Sequence, residues 1–421
     1  MPSLAKLHTI NKTRKSSRTL STLPPLSVRS LIMPTQTPPL ALRVAEIPPF
    51  HVMQVVAEAA ALEAKGMDVI HLEVGEPDFS TPSDVLAAAQ DAMASGHTRY
   101  TDARGLPALR DAISAWYVSQ GLAISAERIQ ITQGASGALL LAAAATVNPG
   151  EQVLMADPAY PCNPRFVEAV GGAVHWLRTE ATNAFQPDAA MLRRSACAED
   201  HVLMLAHPAN PTGMAVPAAE LRAMVSWCQD TGRHLIVDEI YQPLSFEGEL
   251  QSSLHLGQDH FVVGSFSKYF NMTGWRLGWL VMPEYAVSAC QKLAQHLFIC
   301  APTTAQHAAL ACFRPDVLAE ADARKEILKS RRDFLIPRLR ALGFDIPLMP
   351  DGAFYVFADA SALTENSQAF CVDLIRKTGV ALTPGNDFSQ ALPPTWIRIA
   401  FTETEARLDE ALRRIESYLA C

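Results

Sequence analysis

The residues most able to do chemistry lie between Ser265 and Arg276, directly after an apolar run. Lys268 stands in this segment between neighbouring serines and a downstream arginine. Its amine can form an imine with the aldehyde of a cofactor, while serine hydroxyls and the Arg276 guanidinium can hold a phosphate on that cofactor. An ordinary surface lysine is the alternative, so the interpretation depends on what the rest of the chain supplies.

Polar residues also follow two other apolar runs. Asp238 ends the run that begins at Leu235, where a carboxylate is costly unless it is paired. A protonated pyridine nitrogen is a suitable partner. Tyr241 and Asn210 can hydrogen-bond the phenolate oxygen of the same ring, and Asn210 lies in a turn made rigid by proline and glycine. A helix-capping carboxylate and a plain turn are the alternatives.

Three further features have the residue types of a binding site. Residues 132–137 join a predicted strand to an apolar helix, and a helix N-terminus with small residues suits a phosphate. A tight turn explains the same residues equally well. Tyr160 can stack on an aromatic ring or be a core tyrosine. Arg398 lies in an apolar segment and can bind a carboxylate through two parallel hydrogen bonds, or form a structural salt bridge.

The surrounding elements must position these residues. From residue 106 onward, apolar strand-like runs alternate with helical patterns, which is typical of a mostly parallel sheet flanked by helices. Ligands bind such sheets where strands end and loops begin. The predicted strands of this sheet span residues 129–133, 152–156, 174–177, 201–206, 234–238, 260–266 and 277–282.

The pattern changes near residue 300, where a long amphipathic helix and several short elements predict a smaller α+β region. Helices at 50–65 and 82–95 and a strand at 69–74 precede the large sheet. We therefore predict an α/β fold with a large cofactor-binding domain and a smaller α+β domain. The predicted parts are an N-terminal tail at 1–45, the large domain at 81–310, and the small domain formed by 46–80 with 311–421.

Composition excludes several function classes. The 421 residues are 49% hydrophobic and 19% charged, which is typical of a globular protein with a large core. A net charge of −8 gives no reason to expect nucleic-acid binding. No apolar run reaches the roughly 18 residues of a membrane span. The eight cysteines lack the spacing of C-x-x-C or zinc motifs, so we expect a reducing compartment and no metal.

The first 45 residues are basic, rich in serine and threonine, and contain no acidic residue. This composition overlaps with that of an organellar transit peptide. A disordered tail and an over-extended start, with Met33 as the initiator, are the alternatives. We therefore expect the cytoplasm, or an organelle if the segment is a transit peptide.

Together these motifs resemble fold-type I pyridoxal-phosphate enzymes, and within them the class I aminotransferases of the aspartate aminotransferase superfamily. The likeness runs from about residue 45 to the C-terminus. Its most specific parts are S-x-S-K at 265–268 and M-T-G-W-R-x-G at 272–278, in order with N-P-T-G at 210–213 and D-E-x-Y at 238–241. Residues 75–79 and 352–355 also look like family motifs.

The resemblance implies a role for each motif residue. Lys268 would hold the pyridoxal 5'-phosphate aldehyde as an imine and act as the catalytic acid and base. Arg398 would bind the substrate α-carboxylate, with the Gly75 backbone lining the same pocket. Tyr100 would reach the phosphate in the neighbouring subunit's site of a homodimer. The remaining cofactor-binding residues would be Ala135, Ser136, Tyr160, Asn210, Asp238, Tyr241, Ser265 and Arg276.

The implied activity is ping-pong transfer of an L-amino acid's amino group to 2-oxoglutarate, oxaloacetate or pyruvate in amino-acid biosynthesis, as in aspartate aminotransferase. The substrate side chain is not readable from these motifs. Arg104 is the nearest second cation for a dicarboxylate, and a solvated loop arginine is the alternative. The same residues can serve a C–S lyase acting on sulfur amino acids. A non-enzymatic regulator is disfavoured, because no helix-turn-helix precedes the domain.

Overall fold

The computed structural model divides the chain into two units, residues 1–45 and 46–421. Most of the first unit, with the predicted tail, lies outside the described residues. The second unit contains every predicted site residue, and its division into a large and a small domain stays a prediction. The described residues are 40–41, 43–44, 47–48, 50–246 and 251–420.

A mixed sheet occupies the centre of the second unit and contains all the strands predicted after residue 106 and before residue 300. Each observed strand end lies within one residue of the predicted end. Its strands are β2 (Ile129–Thr132), β3 (Gln152–Asp157), β4 (Ala173–Arg178), β5 (Asp200–Ala206), β6 (His234–Asp238), β7 (Phe261–Ser265) and β8 (Gly278–Val281), numbered after a short β1 (Ile70–His71).

The strand order is β2-β8-β7-β6-β5-β3-β4. The five strands from β4 to β7 run parallel, whereas β8 pairs antiparallel with both β7 and β2. The confirmed fold is therefore α/β with a mostly parallel central sheet. Strand β8 is the second strand from one edge of the sheet. Strand periodicity does not reveal its antiparallel direction.

Both faces of the sheet are buried against helices. Along β5, Leu203 and Leu205 belong to one apolar cluster and Val202 and Met204 to another, because successive side chains of a strand point to opposite faces.

The α-helices of the described residues are α1 (Val52–Glu63), α2 (Ser83–Ala94), α3 (Pro107–Ser119), α4 (Gly134–Thr146), α5 (Asn163–Ala169), α6 (Ala189–Ser195), α7 (Ala218–Thr231), α8 (Val287–Leu297), α9 (Thr303–Ala309), α10 (Pro315–Ala341), α11 (Ser367–Thr378) and α12 (Glu405–Leu419).

The C-terminal part carries a three-stranded antiparallel sheet that presents Arg398. Its middle strand is β12 (Trp396–Ala400), and Arg398 lies opposite Phe357 on one side and Thr383 on the other. The flanking strands are β9 (Tyr355–Asp359) and β11 (Thr383–Pro384), and the neighbouring short strand β10 (Val380–Ala381) pairs with β1.

The strand predicted at 69–74 is too long, since β1 covers only Ile70–His71. Leu72 still makes backbone hydrogen bonds to other strands, but the carbonyl groups after it accept hydrogen bonds from side chains. The carbonyl oxygen of Glu73 accepts a hydrogen bond from Arg398, and that of Gly75 accepts one from Lys268. The apolar pattern of this segment therefore reflects burial next to a cavity, which periodicity alone does not distinguish from a strand.

Among the described residues, no helix is both long and apolar enough to cross a membrane.

Candidate active site

A cavity of about 320 Å³ opens where the parallel strands of the central sheet end. Strands β6 and β7 end at Asp238 and Ser265, and β5 leads into the turn that carries Asn210. Their carboxyl ends meet at one edge because they are parallel. The predicted residues that line this cavity are Gly75, Ala135, Ser136, Tyr160, Asn210, Asp238, Tyr241, Ser265, Lys268, Arg276 and Arg398.

Lys268 follows β7 and extends its amine into the cavity, where Nζ donates a hydrogen bond to the carbonyl oxygen of Gly75 over 2.7 Å. Burial lowers the pKa of Lys268, the acidic neighbours oppose this effect and the nearby cations Arg398 and Arg276 add to it, so that the pKa is about 8. A lysine usually has a pKa near 10.4. A much larger fraction of this amine is therefore neutral and able to accept a proton near neutral pH.

Asp238 is only 6% exposed at the end of β6. One carboxyl oxygen accepts a hydrogen bond from the backbone N–H of Ile240 over 3.2 Å. Burial raises the pKa of Asp238 to about 7, since a carboxylate loses its hydration in a low-dielectric site. A buried cation placed beside it would offset that loss, so Asp238 is suited to hold a protonated ring nitrogen.

Arg398 is fixed by contacts on several sides. Nη2 donates to the carbonyl oxygen of Glu73 over 2.6 Å, and Nη1 donates to Oδ1 of Asn210 over 3.0 Å. Its guanidinium carbon lies over the rings of Tyr355 and Phe388, at 4.3 and 4.8 Å from their centroids. Nε is buried and has no hydrogen-bond partner among the described residues. The guanidinium thus keeps a donor for a ligand.

The N-terminus of α4 forms one end of the cavity. The first-turn amides of α4, including those of Ala135 and Ser136, have no carbonyl partner earlier in the helix, which suits an anion. Gly134 has φ +67°, and a Cβ there would lie 2.7 Å from Nη2 of Arg276. Glycine therefore lets the guanidinium approach the helix end. Ser265 adds a hydroxyl to the same lining.

Sequence reasoning missed the contribution of Tyr355. Its hydroxyl lies 2.9 Å from that of Tyr241, and its ring supports Arg398. The motif at 352–355 was the available signal, but it does not indicate that Tyr355 contacts Tyr241 in the loop after β6. Sequence reasoning also missed most of the apolar side of the lining, formed by Phe50, Val52, Val56 and Val74 with Leu139 and Phe166.

Two predicted residues are not brought into this cavity. Tyr100 is 81% exposed and does not line it. Arg104 is ion-paired with Glu127 and lies near Asp102, at 3.7 Å, also outside the lining. Within this chain Arg104 is therefore held by acidic neighbours, outside the cavity.

The cavity fits pyridoxal phosphate by the nature of its polar groups. It combines a lysine of lowered pKa, a buried acid of raised pKa and, at another wall, the free amides of a helix N-terminus beside a guanidinium. An aldehyde, a pyridinium nitrogen and a phosphate are the complementary groups. With the mostly parallel sheet, these properties define a fold-type I pyridoxal-phosphate enzyme.

Comparisons with known proteins specify the family. The model described as "Aminotransferase class I and II" matches residues 67–415, so the chain belongs to that family. It is 41% identical to a valine–pyruvate aminotransferase of Mycobacterium tuberculosis, covering 90% of this chain and 98% of that one. It is 33% identical to an aspartate aminotransferase of Thermotoga maritima, again covering 90% and 98%.

A solved structure of an aminotransferase from Mycobacterium tuberculosis shares 40% identity with a TM-score of 0.87, covering 91% of this chain and 100% of that one. The predicted activity and cofactor are thus confirmed at the level of the family. This protein is a pyridoxal-phosphate-dependent aminotransferase. The lyase alternative finds no support among these relatives.

Proposed function

We propose that this enzyme transfers the amino group of an L-amino acid with a neutral, apolar side chain to a 2-oxo acid with an apolar side chain, such as pyruvate. The composition of the cavity wall carries the proposal. Phe50, Val52, Val56 and Val74 form an apolar surface, and burial of an apolar side chain against it is favourable. The valine–pyruvate activity named for the Mycobacterium tuberculosis relative supports the same substrate class.

The cations of the cavity also favour a neutral side chain. Among the described lining residues, the positively charged ones are Lys268, Arg276 and Arg398. Each has a proposed partner other than the substrate side chain, namely the cofactor aldehyde, the phosphate and the α-carboxylate. A dicarboxylate would therefore place its second charge against an apolar wall without a partner from this chain, which is unfavourable.

Arg398 is proposed to anchor the α-carboxylates of both the amino acid and the oxo acid. Its contacts to Glu73 and Asn210 hold the guanidinium in place before substrate arrives, so little ordering remains to be done on binding. The planar fork suits a carboxylate bidentately. Gly75 lines the same pocket, and its carbonyl oxygen accepts the hydrogen bond from Lys268.

Seven residues and two helix amides are proposed to hold the cofactor. Asp238 would pair with the ring nitrogen, Asn210 and Tyr241 would hydrogen-bond the ring oxygen, and Tyr160 would stack on the ring. When bound, pyridoxal phosphate supplies an electron-accepting ring that stabilises negative charge on the substrate Cα. The phosphate would be held by the amides of Ala135 and Ser136 with Ser265 and Arg276, and covalent attachment is assigned to Lys268.

Lys268 is proposed to remove the proton from the substrate Cα and carry it on Nζ. Burial and neighbouring cations keep the pKa of Lys268 at about 8, close to the operating pH, where general base catalysis is most efficient. Its tether also keeps the amine close to the reacting atom, which raises its effective concentration. The Gly75 carbonyl supplies a resting position for the amine.

We also propose that the enzyme is a cytoplasmic homodimer in which Tyr100 of one subunit completes the phosphate site of the other. Tyr100 is 81% exposed yet large and aromatic, so burial in an interface would be favourable. Loss of cofactor affinity in a Tyr100→Ala variant that remains dimeric in light scattering would support this arrangement. Unchanged affinity would remove Tyr100 from the site.

A panel of amino donors tests the substrate class. Valine, leucine, phenylalanine and aspartate would each be supplied with pyruvate and, separately, with 2-oxoglutarate, and glutamate would be supplied with pyruvate alone. We expect kcat/KM for the apolar donors to exceed that for aspartate at least about tenfold, because one unpaired charge costs more than a kilocalorie per mole. Preference for aspartate would overturn the proposal. Ammonia release from cystathionine without any oxo acid would instead indicate lyase chemistry.

A further inference from the structure

Three potential metal ligands converge at the edge of the central sheet where the parallel strands begin. His175 lies in β4, Asp200 is the first residue of β5, and Cys197 lies three residues before it. One ligand atom from each lies within 4.8 Å of the others. The sequence separates His175 from the other two by more than twenty residues, so no zinc-type spacing reveals the group.

This group is distant from the cofactor cavity along the strands. Strand β5 begins at Asp200 and ends at Ala206, beyond which the chain reaches Asn210 in the cavity lining. His175 and Asp200 thus lie toward the amino ends of their strands, whereas the cofactor residues lie at the carboxyl ends. None of the three residues lines the cavity.

A bulge turns Asp200 toward His175. The pairing of β3 with β5 shifts register between Gln152 and Val153, so that Gln152 lies opposite Asp200 and Val153 opposite Val202. Such an irregularity re-aims the side chains on its two sides relative to each other. Both carboxyl oxygens of Asp200 come within 3.0 Å of Nδ1 of His175 as a result.

The distances suit tetrahedral coordination. In addition to the 3.0 Å contacts with His175, Oδ2 of Asp200 lies 3.2 Å from Sγ of Cys197. Around a zinc ion with bonds of about 2.0 Å to nitrogen or oxygen and about 2.3 Å to sulfur, neighbouring tetrahedral ligands lie roughly 3.3 to 3.5 Å apart. The two separations that involve Asp200 therefore lie within a few tenths of an ångström of tetrahedral values, and the third, between Nδ1 of His175 and Sγ of Cys197, is at most 4.8 Å.

The ligands are held on a rigid support but remain reachable. Asp200 is 2% exposed, and the backbone N–H of Cys197 donates to its Oδ2 over 2.7 Å. Arg233 fixes the connecting turn through the carbonyl oxygens of Cys197 and Asp200. Cys197 is itself exposed, so an ion can enter from solvent. Oε1 of Gln152, 4.0 Å from the thiol sulfur, is available as a fourth donor.

We propose that His175, Cys197 and Asp200 bind one zinc ion per chain, with water or Gln152 in the fourth position. A mixed nitrogen, sulfur and oxygen set favours zinc over magnesium or calcium, which take oxygen ligands. The thiol releases its proton to solvent when the metal binds. The ion would tie strand β4, which is the outermost strand of its sheet edge, to β5 across β3.

The competing explanation is a plain hydrogen-bonded pair of His175 and Asp200, with Cys197 beside it by chance. Isothermal titration of chelator-treated holoenzyme with zinc chloride separates the two. We expect one ion per chain with a dissociation constant in the micromolar range or tighter, and zinc X-ray absorption showing one sulfur among nitrogen and oxygen ligands. Absence of binding, or bound zinc without a sulfur ligand, would overturn the proposal.

Variants locate the ion on the folded enzyme. Cys197→Ala and His175→Gln should each weaken zinc binding at least about tenfold, while transaminase activity is retained because neither residue lines the cavity. Cys300→Ser is the matched control, since Cys300 is also a free, partly accessible cysteine. Equal zinc affinity in all three variants would place the ion elsewhere.

A measurement on the unmodified chain avoids any dependence on how the variants fold. Iodoacetamide should alkylate the exposed Cys197 in zinc-free holoenzyme, and stoichiometric zinc should slow that reaction at least about tenfold because a metal-bound sulfur is shielded. Cys300 serves as the internal reference in the same peptide map. Equal alkylation of Cys197 with and without zinc would contradict the site.

Discussion

Nη1 of Arg398 donates a hydrogen bond to Oδ1 of Asn210 over 3.0 Å. This contact joins the proposed carboxylate anchor to a residue proposed to bind the cofactor ring. Because the amide oxygen of Asn210 is occupied by the guanidinium, its NH₂ group is turned toward other acceptors. Asn210 can therefore donate to a ring oxygen in the orientation that also steadies Arg398.

Replacing Arg398 by lysine should weaken the binding of both substrates. An ammonium keeps the charge but cannot form two parallel hydrogen bonds or retain the contact with Asn210. We expect a loss of about 2–3 kcal/mol in carboxylate binding, or a rise in KM of roughly 30- to 150-fold for donor and acceptor alike. Steady-state kinetics with both substrates measure this. A change confined to one substrate would contradict a shared anchor.

The Asp238→Asn variant should lose activity with little change in shape. The amide cannot balance the positive charge of a protonated ring nitrogen, and breaking a buried ion pair costs about 3–5 kcal/mol. The expected fall in kcat or cofactor affinity is roughly 10²- to 10⁴-fold. Rate measurements at saturating cofactor, with equilibrium dialysis, separate the two effects. Activity within about threefold of the parent enzyme would exclude the proposed pairing.

Lys268→Ala should abolish covalent attachment of the cofactor and lower the rate at least about 10³-fold, because both the attachment point and the general base are removed. Borohydride reduction followed by peptide mass spectrometry locates the attachment. Lys377→Ala is the matched control, since Lys377 is an exposed lysine paired with Asp373. Attachment that persists in the Lys268 variant would move the catalytic lysine elsewhere.

A cation introduced into the apolar wall should change substrate preference. Val56 lines the cavity on α1, so Val56→Arg would offer a partner to the second carboxylate of aspartate. We expect the ratio of kcat/KM for aspartate over valine to rise at least about tenfold. Val118→Arg, at a position 58% exposed and outside the cavity lining, controls for added charge. An equal ratio in both variants would place the substrate side chain elsewhere.

His71 should make stability depend on pH in the alkaline range. Nδ1 of His71 lies 2.8 Å from Oε1 of the buried Glu73. This contact, with a smaller contribution from Glu63 and against the opposing effect of burial, raises the pKa of His71 from 6.5 to about 9. A raised pKa means that the stabilisation is complete below about pH 6.5 and disappears as pH rises through about 9. Allowing for the screening of a half-exposed group, it amounts to roughly 1–2 kcal/mol.

His71→Gln keeps a hydrogen-bond donor for Glu73 but does not titrate. The difference in Tm between parent and variant should therefore be about 1–2 °C at about pH 6 and shrink toward zero by about pH 10. Thermal unfolding across this range measures it, with His201→Gln as a control for loss of an exposed histidine. A difference that is constant with pH would mean that the charge of His71 does not stabilise the fold.

Much of the architecture is readable from local pattern. The strands ending at Asp238 and Ser265 are predicted to within a residue, because apolar runs bounded by turn residues define them. Their polar end residues converge because parallel strands share a carboxyl edge. The segment at 69–74 is misread, since burial beside a cavity and burial in a sheet produce the same apolar pattern. The antiparallel direction of β8 leaves no local mark either.

The sequence by itself determined the family, the cofactor chemistry and the residues proposed to perform it, because Lys268, Asp238, Asn210 and Arg276 occur in short motifs whose spacing follows from single strand-to-loop turns. Only the tertiary structure brought Tyr355 against Tyr241 and Arg398, assembled the apolar wall, and joined His175 to Asp200. These contacts link segments far apart in the chain. Their geometry depends on strand order and register, which arise from packing of the whole fold.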